Sequence, residues 1–358
     1  MRLEGAMTRR PLIVVGIPVW RGGAFVHETI ESVLRQVAIP FSLLISVDGA
    51  DMDSVAACRP FLKDSRVRMV VQKSRLGWVR NMAFLMSEAV AQDADYACVQ
   101  PHDDLMEDDY LAELVAKAEA YPAAAVVYSD LRFFGAIEDV VFSLPSVIGL
   151  PLERVRTLLR EPGWVAFRGL TRTAAIRALP AMSGNPFDDF SADHVWVMRL
   201  ARIGDLVRVP RVLYRKRYHD ANTSTKWFTW SLAKRSDAWT HHCLDLLAEA
   251  LYTAGTSEEQ ETLWKAAREL LLMPPWNDFA TMRLDKRMLR RLRLIWRFEA
   301  AAQRKDVGLA HADLPPESIS QLHWGPHKAR SRTLSLALQD WLVIFNQKLK
   351  RKLNRAAQ

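Results

Sequence analysis

The sequence predicts an α/β protein, a mostly parallel sheet flanked by helices, followed by a helical, basic C-terminal extension. Three observations lead there. Short apolar runs alternate with stretches of helical periodicity over the first 120 residues, the pattern of buried strands joined by crossover helices. After Lys226 that alternation gives way to helical spacing alone. A composition of 49% hydrophobic and 25% charged residues is enough to bury a core under such a sheet, and it excludes a chain that is disordered by default.

The elements follow in order. Pro11-Leu-Ile-Val-Val-Gly-Ile-Pro18 is an apolar run closed by proline and reads as the first strand. Glu28 to Gln36 has helical spacing, with Ile30, Val33 and Leu34 on one face. Phe41 to Val47 is a second strand, stopped by Asp48-Gly49, and Val67 to Val71 a third. Trp78 to Ala91 is a helix whose apolar side is Val79, Met82, Phe84, Leu85 and Met86. Asp95 to Val99 is a fourth strand and Tyr110 to Ala120 another helix. Beyond Pro122 the spacing predicts strands at Ala123 to Ser129, Val165 to Arg168, Leu206 to Val209 and Val212 to Arg215, with a helix from Val195 to Ile203. Helices are expected from Trp227 through Leu272, from Phe279 to Gln303 and from about Leu334 to Leu353, with a proline- and glycine-marked loop between Gly308 and Arg330. The expected division is a sheet domain over 1–225 and the helical extension over 226–358.

Charge is unevenly placed. From Thr281 to Gln358 there are 17 lysines and arginines against 6 acids, whereas the other 280 residues carry 32 against 35. The basicity therefore belongs to the tail, and it says little about what the sheet domain binds. Trp341-Leu-Val-Ile-Phe345 beside Lys348-Leu-Lys-Arg-Lys352 suits a helix lying on an anionic membrane surface, while packing on the sheet domain or homodimer formation fits as well. The tail lacks a recognisable nucleic-acid reading module, so no nucleic-acid partner is expected. Three scattered cysteines, Cys58, Cys98 and Cys243, give neither a disulfide framework nor zinc spacing. The first ten residues hold no apolar run and no stretch reaches ~18 apolar residues, so neither a secretory signal nor a transmembrane helix is expected. A cytoplasmic protein, peripheral on the inner face of the cell membrane if the tail binds lipid, is the expectation.

In an open parallel sheet, ligands bind beyond the carboxyl ends of the strands. Pro18-Val19-Trp20 follows the first strand here, and Asp48-Gly49-Ala50-Asp51 the second. Ser74-Arg75-Leu76-Gly77 follows the third and leads to Arg80, and Gln100-Pro101-His102-Asp103-Asp104 follows the fourth. No Gly-x-Gly-x-x-Gly loop stands among them, which disfavours a Rossmann dinucleotide site. The set suits a nucleotide diphosphate held through a hard divalent cation, because adjacent aspartates at a strand end offer carboxylate oxygens that such a cation prefers. Trp20 offers a flat face for a base, and Asp48 an acceptor for a base or ribose.

At this point the chain resembles the inverting family 2 glycosyltransferases of the GT-A fold. The matching stretches are Val15 to Trp20 with Glu28 to Gln36, Val47 to Asp51, Arg75 to Asn81, His102-Asp-Asp104, and Ala192 to Leu200 with Tyr214 to His219, in the family's order over residues 11–225. The resemblance implies a catalytic domain in which Pro18, Trp20, Asp48, Arg80, His102, Asp103 and Asp104 contact the nucleotide-sugar. It implies Mn2+ or Mg2+ held by Asp103, Asp104 and His219, and Asp193 as general base on the acceptor hydroxyl, with Asp188 and Asp189 as nearby rivals. Trp164 and Arg168 lie where acceptor contacts are expected. The implied donor is a UDP-, GDP- or dTDP-sugar and the implied acceptor a saccharide or a lipid-linked saccharide, in surface polysaccharide or glycoconjugate synthesis. Three positions depart from the family pattern: Pro101 stands where an acid is usual, Val47 precedes Asp48 where a second aspartate is usual, and Ala192 precedes Asp193 where a glutamate is frequent. The processive Gln-x-x-Arg-Trp motif is absent, so addition of one sugar is the implied reaction. The rival readings are a catalytically inactive GT-A-like binding or scaffold protein and a sugar nucleotidyltransferase, whose glycine-rich phosphate loop residues 16–24 do not supply.

Overall fold

A computed structural model describes residues 10–161 and 163–272. The helices expected over Phe279 to Gln303 and Leu334 to Leu353, the loop between them and the proposed membrane-facing segment lie outside the described residues.

The first half is a parallel α/β unit. Strand β1 (Ile13–Val19) is buried at every position and is flanked by β2 (Ser42–Val47) and β4 (Tyr96–Val99), both parallel to it, with β3 (Val67–Val71) parallel beyond β2. Strands covered on both faces need continuous apolar sequence, which is why these segments show runs rather than alternation. Helices α1 (Val26–Leu34), α2 (Met52–Cys58), α3 (Trp78–Ala91) and α4 (Tyr110–Ala120) supply the cover, α1 burying Val26, Ile30 and Val33. The register places Val19 opposite Val47 and Gly16 opposite Val99, so Trp20, Asp48 and Gln100 emerge at one edge.

The second half adds mixed pairing. The short strand β5 (Leu105–Met106) pairs with β9 (Asp205–Tyr218), and β6 (Ala124–Gly135) runs parallel to β9 and antiparallel to β7 (Val140–Phe142) and β8 (Leu170–Arg172). Because β8 also pairs antiparallel with β4, one nine-stranded sheet results, in the order β3-β2-β1-β4-β8-β6-β9-β5 with β7 on β6. The two short strands expected at 206–209 and 212–215 are a single strand. Pro210 cannot donate to the ladder, and the chain absorbs it as a register shift between Val209 and Val212 without breaking. The strand expected over Val165 to Arg168 is instead a 3-10 turn at Trp164–Arg168, and the strand begins after Gly169. Gly169 passes so close to β6 that a Cβ there would lie 2.4 Å from the Val127 carbonyl oxygen.

Helices α5 (Pro151–Arg160), α6 (Thr173–Arg177) and α7 (Ala192–Ile203) complete the sheet domain, and α8 (Leu232–Leu251) and α9 (Ser257–Leu271) pack on it. Leu246, Leu247, Leu263 and Leu270 of the last two helices belong to the same buried cluster as the sheet residues. Glu249 of α8 ties down Arg199 and Arg202 of α7, with all three side chains under a fifth exposed. No helix among the described residues is long and apolar enough to cross a membrane.

Candidate functional site

The loop after β4 forms the floor of the site, and it is held from below. The buried Thr29 hydroxyl of α1 lies 2.8 Å and 2.9 Å from the carbonyl oxygens of His102 and Asp104, which fixes the backbone on either side of Asp103. His102 Nδ1 lies 3.2 Å from the Pro18 carbonyl. A carbonyl can only accept, so Nδ1 carries a proton.

The two adjacent aspartates have different environments. Asp103 receives a hydrogen bond from His219 Nε2 at 2.9 Å and another from Asn222 Nδ2 at 2.9 Å, both on Oδ2. Burial alone would push its carboxyl up. The His219 hydrogen bond and the charges of His102, Lys216 and His219 more than offset this, so the carboxyl sits well below the usual carboxylate range. Asp104 is 1% exposed, and both its oxygens are taken: Oδ1 by the Arg217 amide at 2.8 Å, Oδ2 by the Tyr214 hydroxyl at 2.9 Å and Arg168 Nε at 3.3 Å. Burial pushes this carboxyl up and the charge of Asp103 adds to it, against the pull of Lys216, Arg168 and the Arg217 amide. The geometry thus gives Asp103 the cleft and Asp104 the wall.

His219 is oriented from both sides of its ring. The Ala221 amide donates to Nδ1 at 3.2 Å, which leaves Nε2 facing Asp103, and Phe25 packs on the ring with centroids 4.6 Å apart. Two ligands of a cation held at about 2.1 Å and at right angles lie about 3 Å apart. The 2.9 Å separation of Asp103 Oδ2 and His219 Nε2 already matches such a pair, once the ring proton moves from Nε2 to Nδ1 and the Ala221 amide is released. Among the described residues, however, no group of three or more histidine, cysteine or acidic side chains converges for a metal, because Asp104 points away. Two protein donors fit a cation of the magnesium or manganese kind, which completes its shell with phosphate oxygens and water.

The rim comes from the other strand ends. Asp48, 2% exposed, spends both carboxylate oxygens on the amides of Leu76 and Gly77, at 2.5 Å and 3.0 Å, and so clamps the loop entering α3. That turn needs Gly77 at φ +82°, a conformation an L side chain adopts only under strain. Trp20 is half-buried at the mouth, with the Arg75 guanidinium 4.2 Å and the Arg21 guanidinium 5.5 Å from its ring centroid. A base stacking on Trp20 would share the ring with Arg75 or displace it. Arg80 lies exposed on the first turn of α3.

Asp193 stands in the first turn of α7, partly exposed, and no hydrogen bond or ion pair reaches its carboxylate among the described residues. The rivals are engaged: Asp188 pairs with Lys234 at 3.0 Å, and Asp189 accepts the Asn185 amide at 3.0 Å. The approach to α7 is strained, with Asp188, Asp189 and Ser191 all at φ between +50° and +58°. Strain of this kind fixes where the helix, and Asp193 with it, begins. Trp164 stacks against Phe142 and Phe133 at 5.4 Å and 6.2 Å, with the Arg168 guanidinium 5.1 Å from its ring centroid.

Several residues at the site carried no assigned role in the sequence analysis. Tyr214, Lys216 and Arg217 belong to the run Tyr214 to His219, of which only His219 was given one. Arg217 donates from Nε to the Asp103 carbonyl at 2.9 Å and pairs with Glu28, while Asn222 holds Asp103 and His219 together. Lys216 is electrostatically coupled to Asp103, Asp104, Asp193 and Arg168 at once.

Behind Asp193 lies a buried aromatic and histidine layer joining α7 to α8. His194 and His242 have ring centroids 5.1 Å apart, and Phe190 and Trp239 lie 5.8 Å and 5.5 Å from the His242 ring. Both nitrogens of His242 are buried without a partner among the described residues. Burial, then the neighbouring His194 and His241, hold His242 well below the usual histidine range, and burial lowers His194 as well, against Asp193. Below about pH 6.5 the unfolded chain takes up protons on these rings that the folded chain refuses. Stability conferred by the neutral rings is therefore present above that pH and is lost as pH falls. Thermal unfolding between pH 7.5 and 5 is expected to show a falling midpoint that His242→Phe flattens; an equal slope in the variant would refute the assignment.

Comparison with known proteins bears on this geometry. Residues 14–160 match the family model described as glycosyl transferase family 2. Glycosyltransferase GlyG of Streptococcus pneumoniae serotype 4 is 24% identical over 119 residues, covering 32% of this chain. The match spans only 38% of that relative's own length. S. aureus TarS 1–349, solved in complex with UDP-GlcNAc, superposes with a TM-score of 0.58 at 10% identity, over 82% of this chain and 89% of that one. The mannosyltransferase PcManGT from Pyrobaculum calidifontis, solved with GDP-Man and Mn2+, superposes with a TM-score of 0.52 at 14% identity, over 83% and 88%. At these identities the structural likeness speaks for the fold, while the matched segment holds every strand-end residue from Pro18 to Asp104. With that segment laid on a sheet of this order, residues 14–160 are similar to glycosyl transferase family 2, and the described residues share the fold of these glycosyltransferase structures.

Proposed function

We propose that the chain is a non-processive, inverting glycosyltransferase that moves one sugar from a UDP-, GDP- or dTDP-linked donor to an acceptor hydroxyl. The observation that carries this reading is the pairing of Asp103 with an uncommitted Asp193. The first is ionised and fixed on the floor, the second is free at a strained helix start, and both act on Lys216. In this reading Asp193 accepts the proton of the acceptor hydroxyl as its oxygen attacks the anomeric carbon, and the sugar–phosphate bond breaks on the opposite face. Asp103 and His219 hold a divalent cation, which when bound supplies positive charge to the departing diphosphate. The Mn2+ in the mannosyltransferase complex supports this use of metal.

Trp20 and Arg75 flank the base, and Arg80 reaches the base or the phosphates from the rim. Asp48 acts by shaping the loop that Arg75 belongs to, and Asp104 by holding the wall. Trp164 and the turn that carries Arg168 line the acceptor side. A saccharide or lipid-linked saccharide is the proposed acceptor, in surface polysaccharide or glycoconjugate synthesis.

The test is a thermal-shift screen of UDP-, GDP- and dTDP-sugars with and without Mn2+, followed by donor hydrolysis. A ligand bound only by the folded state raises the midpoint, by about 2.7 kcal/mol of stability at a hundredfold excess over its Kd. One base class is expected to bind, more tightly with Mn2+, and Asp103→Ala to abolish the metal effect. No shift with any donor, together with hydrolysis that Asp103→Ala leaves unchanged, would refute the enzyme reading.

A further inference from the structure

We infer that Lys216 is a donor-site residue whose ammonium binds the diphosphate of the nucleotide-sugar and takes up charge as that diphosphate leaves. This rests on the glycosyltransferase reading above and adds a residue to it.

Strand periodicity places Lys216 on the face it shares with Tyr214 and Tyr218, whereas Arg215 and Arg217 turn to the other face and lie over Phe134. The Tyr214 hydroxyl on that first face bonds Asp104, and the Lys216 ammonium lies 4.7 Å from the Tyr218 ring centroid. Lys216 thus lies on the face of β9 that carries the Tyr214–Asp104 bond, within reach of the charges of Asp103, Asp104, Asp193 and Arg168. The cations nearest the two aspartates have partners: Arg168 has Asp104, and Arg217 has Glu28 and the Asp103 carbonyl. Among the described residues, no carboxylate lies within ion-pair distance of Lys216, whose ammonium lies over the Tyr218 ring.

A half-buried ammonium beside a guanidinium, with three carboxylates near but none touching, costs free energy in the empty site. That cost is recovered when an anion enters between the lysine and the aspartates. The substrate that must enter here carries a diphosphate, and its negative charge grows as the sugar–phosphate bond breaks. A half-buried lysine already in place stabilises that growing charge without reorganising. The departure at Pro101 gives this weight. The site has one acid fewer than the family pattern, and a cation fixed to the chain can share the task that a more tightly held metal would perform alone.

The discriminating measurement is nucleotide affinity, not turnover alone. Isothermal titration at fixed ionic strength would compare UDP, GDP and dTDP with the corresponding monophosphates, for the wild-type chain, Lys216→Met and Lys216→Arg. The wild type is expected to prefer the diphosphate of one base. Lys216→Met is expected to lose about tenfold of that preference while its monophosphate affinity stays put, and to lower kcat by about 10²-fold with little change in acceptor KM. Lys216→Arg, which keeps the charge and confirms that the position tolerates substitution, should keep most of the preference. A Lys216→Met protein that binds diphosphate over monophosphate as strongly as the wild type would overturn the role of Lys216 and leave the glycosyltransferase reading standing. A wild-type chain that binds no nucleotide diphosphate would overturn both.

Discussion

Asp193→Asn is expected to lower kcat by about 10²–10⁴-fold, the usual contribution of a general base, while the protein stays folded and binds donor as before. In energy this is about 3–5.5 kcal/mol of transition-state stabilisation, at about 1.4 kcal/mol per tenfold. Little of it is stability, because no hydrogen bond or ion pair among the described residues ends on the Asp193 carboxylate. What the wild-type side chain adds to the fold is its place near the N-terminus of α7, where an acid contributes about 0.3–1 kcal/mol through the helix dipole. Single-turnover rates at saturating donor, read beside donor affinity and urea midpoints, separate the two effects. The rivals give the control. Asp188→Asn breaks only an exposed pair with Lys234 and should leave kcat within a few-fold. Asp189→Asn touches the bond that shapes the strained turn, so its effect should appear in stability before it appears in rate. Asp193 loses its role if Asp193→Asn keeps more than a tenth of the wild-type kcat, or if Asp188→Asn falls as far.

How much of this was legible in the sequence follows from where each signal resides. The parallel half announces itself because strands buried on both faces must be continuously apolar, and Val67–Val71, Trp78–Ala91 and Tyr110–Ala120 have the predicted limits. The mixed half does not, because its elements depend on partners distant in sequence. The two-residue strand at Leu105–Met106 exists only because β9 lies beside it, and β9 crosses Pro210 by bulging against a continuous β6. Helix α5 has a polar mean composition and is set by its proline and Glu153 at the N-terminus more than by an apolar run. Residues of the site were legible by type and by strand-end position, but not by direction. Adjacent in sequence, Asp103 and Asp104 diverge because β5 begins immediately after them and turns one carboxylate under the sheet. Asp48 likewise has the right position for a nucleotide contact, and its two oxygens meet backbone amides instead. Lys216 offered no separate signal, since a basic run on a strand reads as a solvated edge until its register is known.

The divergence of the two aspartates sets the last prediction. Asp104→Leu is expected to cost about 3–5 kcal/mol of stability, because it strands three donors at once. Arg168, whose side chain is 12% exposed, loses its only carboxylate while its Nη1 already lacks a partner, and Tyr214 and the Arg217 amide lose their acceptor. Against a total stability of about 5–15 kcal/mol, that loss brings a large fraction of the molecules to unfolding at growth temperature. Asp104→Asn should cost less, since it keeps one oxygen to accept. The pair Asp104→Leu with Arg168→Met removes the stranded guanidinium and should recover part of the loss, a coupling that a double-mutant cycle measures directly. Asp103→Ala is expected to behave in the opposite way. His219 is part-exposed and can turn to water, and only the buried Asn222 amide loses an acceptor, so stability falls by about 1–3 kcal/mol, less than for Asp104→Leu, while metal-dependent activity disappears. Urea midpoints for these four variants and for Arg168→Met alone decide the matter. If Asp103→Ala destabilised the chain more than Asp104→Leu, the floor and the wall would have to be exchanged, and the cation ligand sought at Asp104.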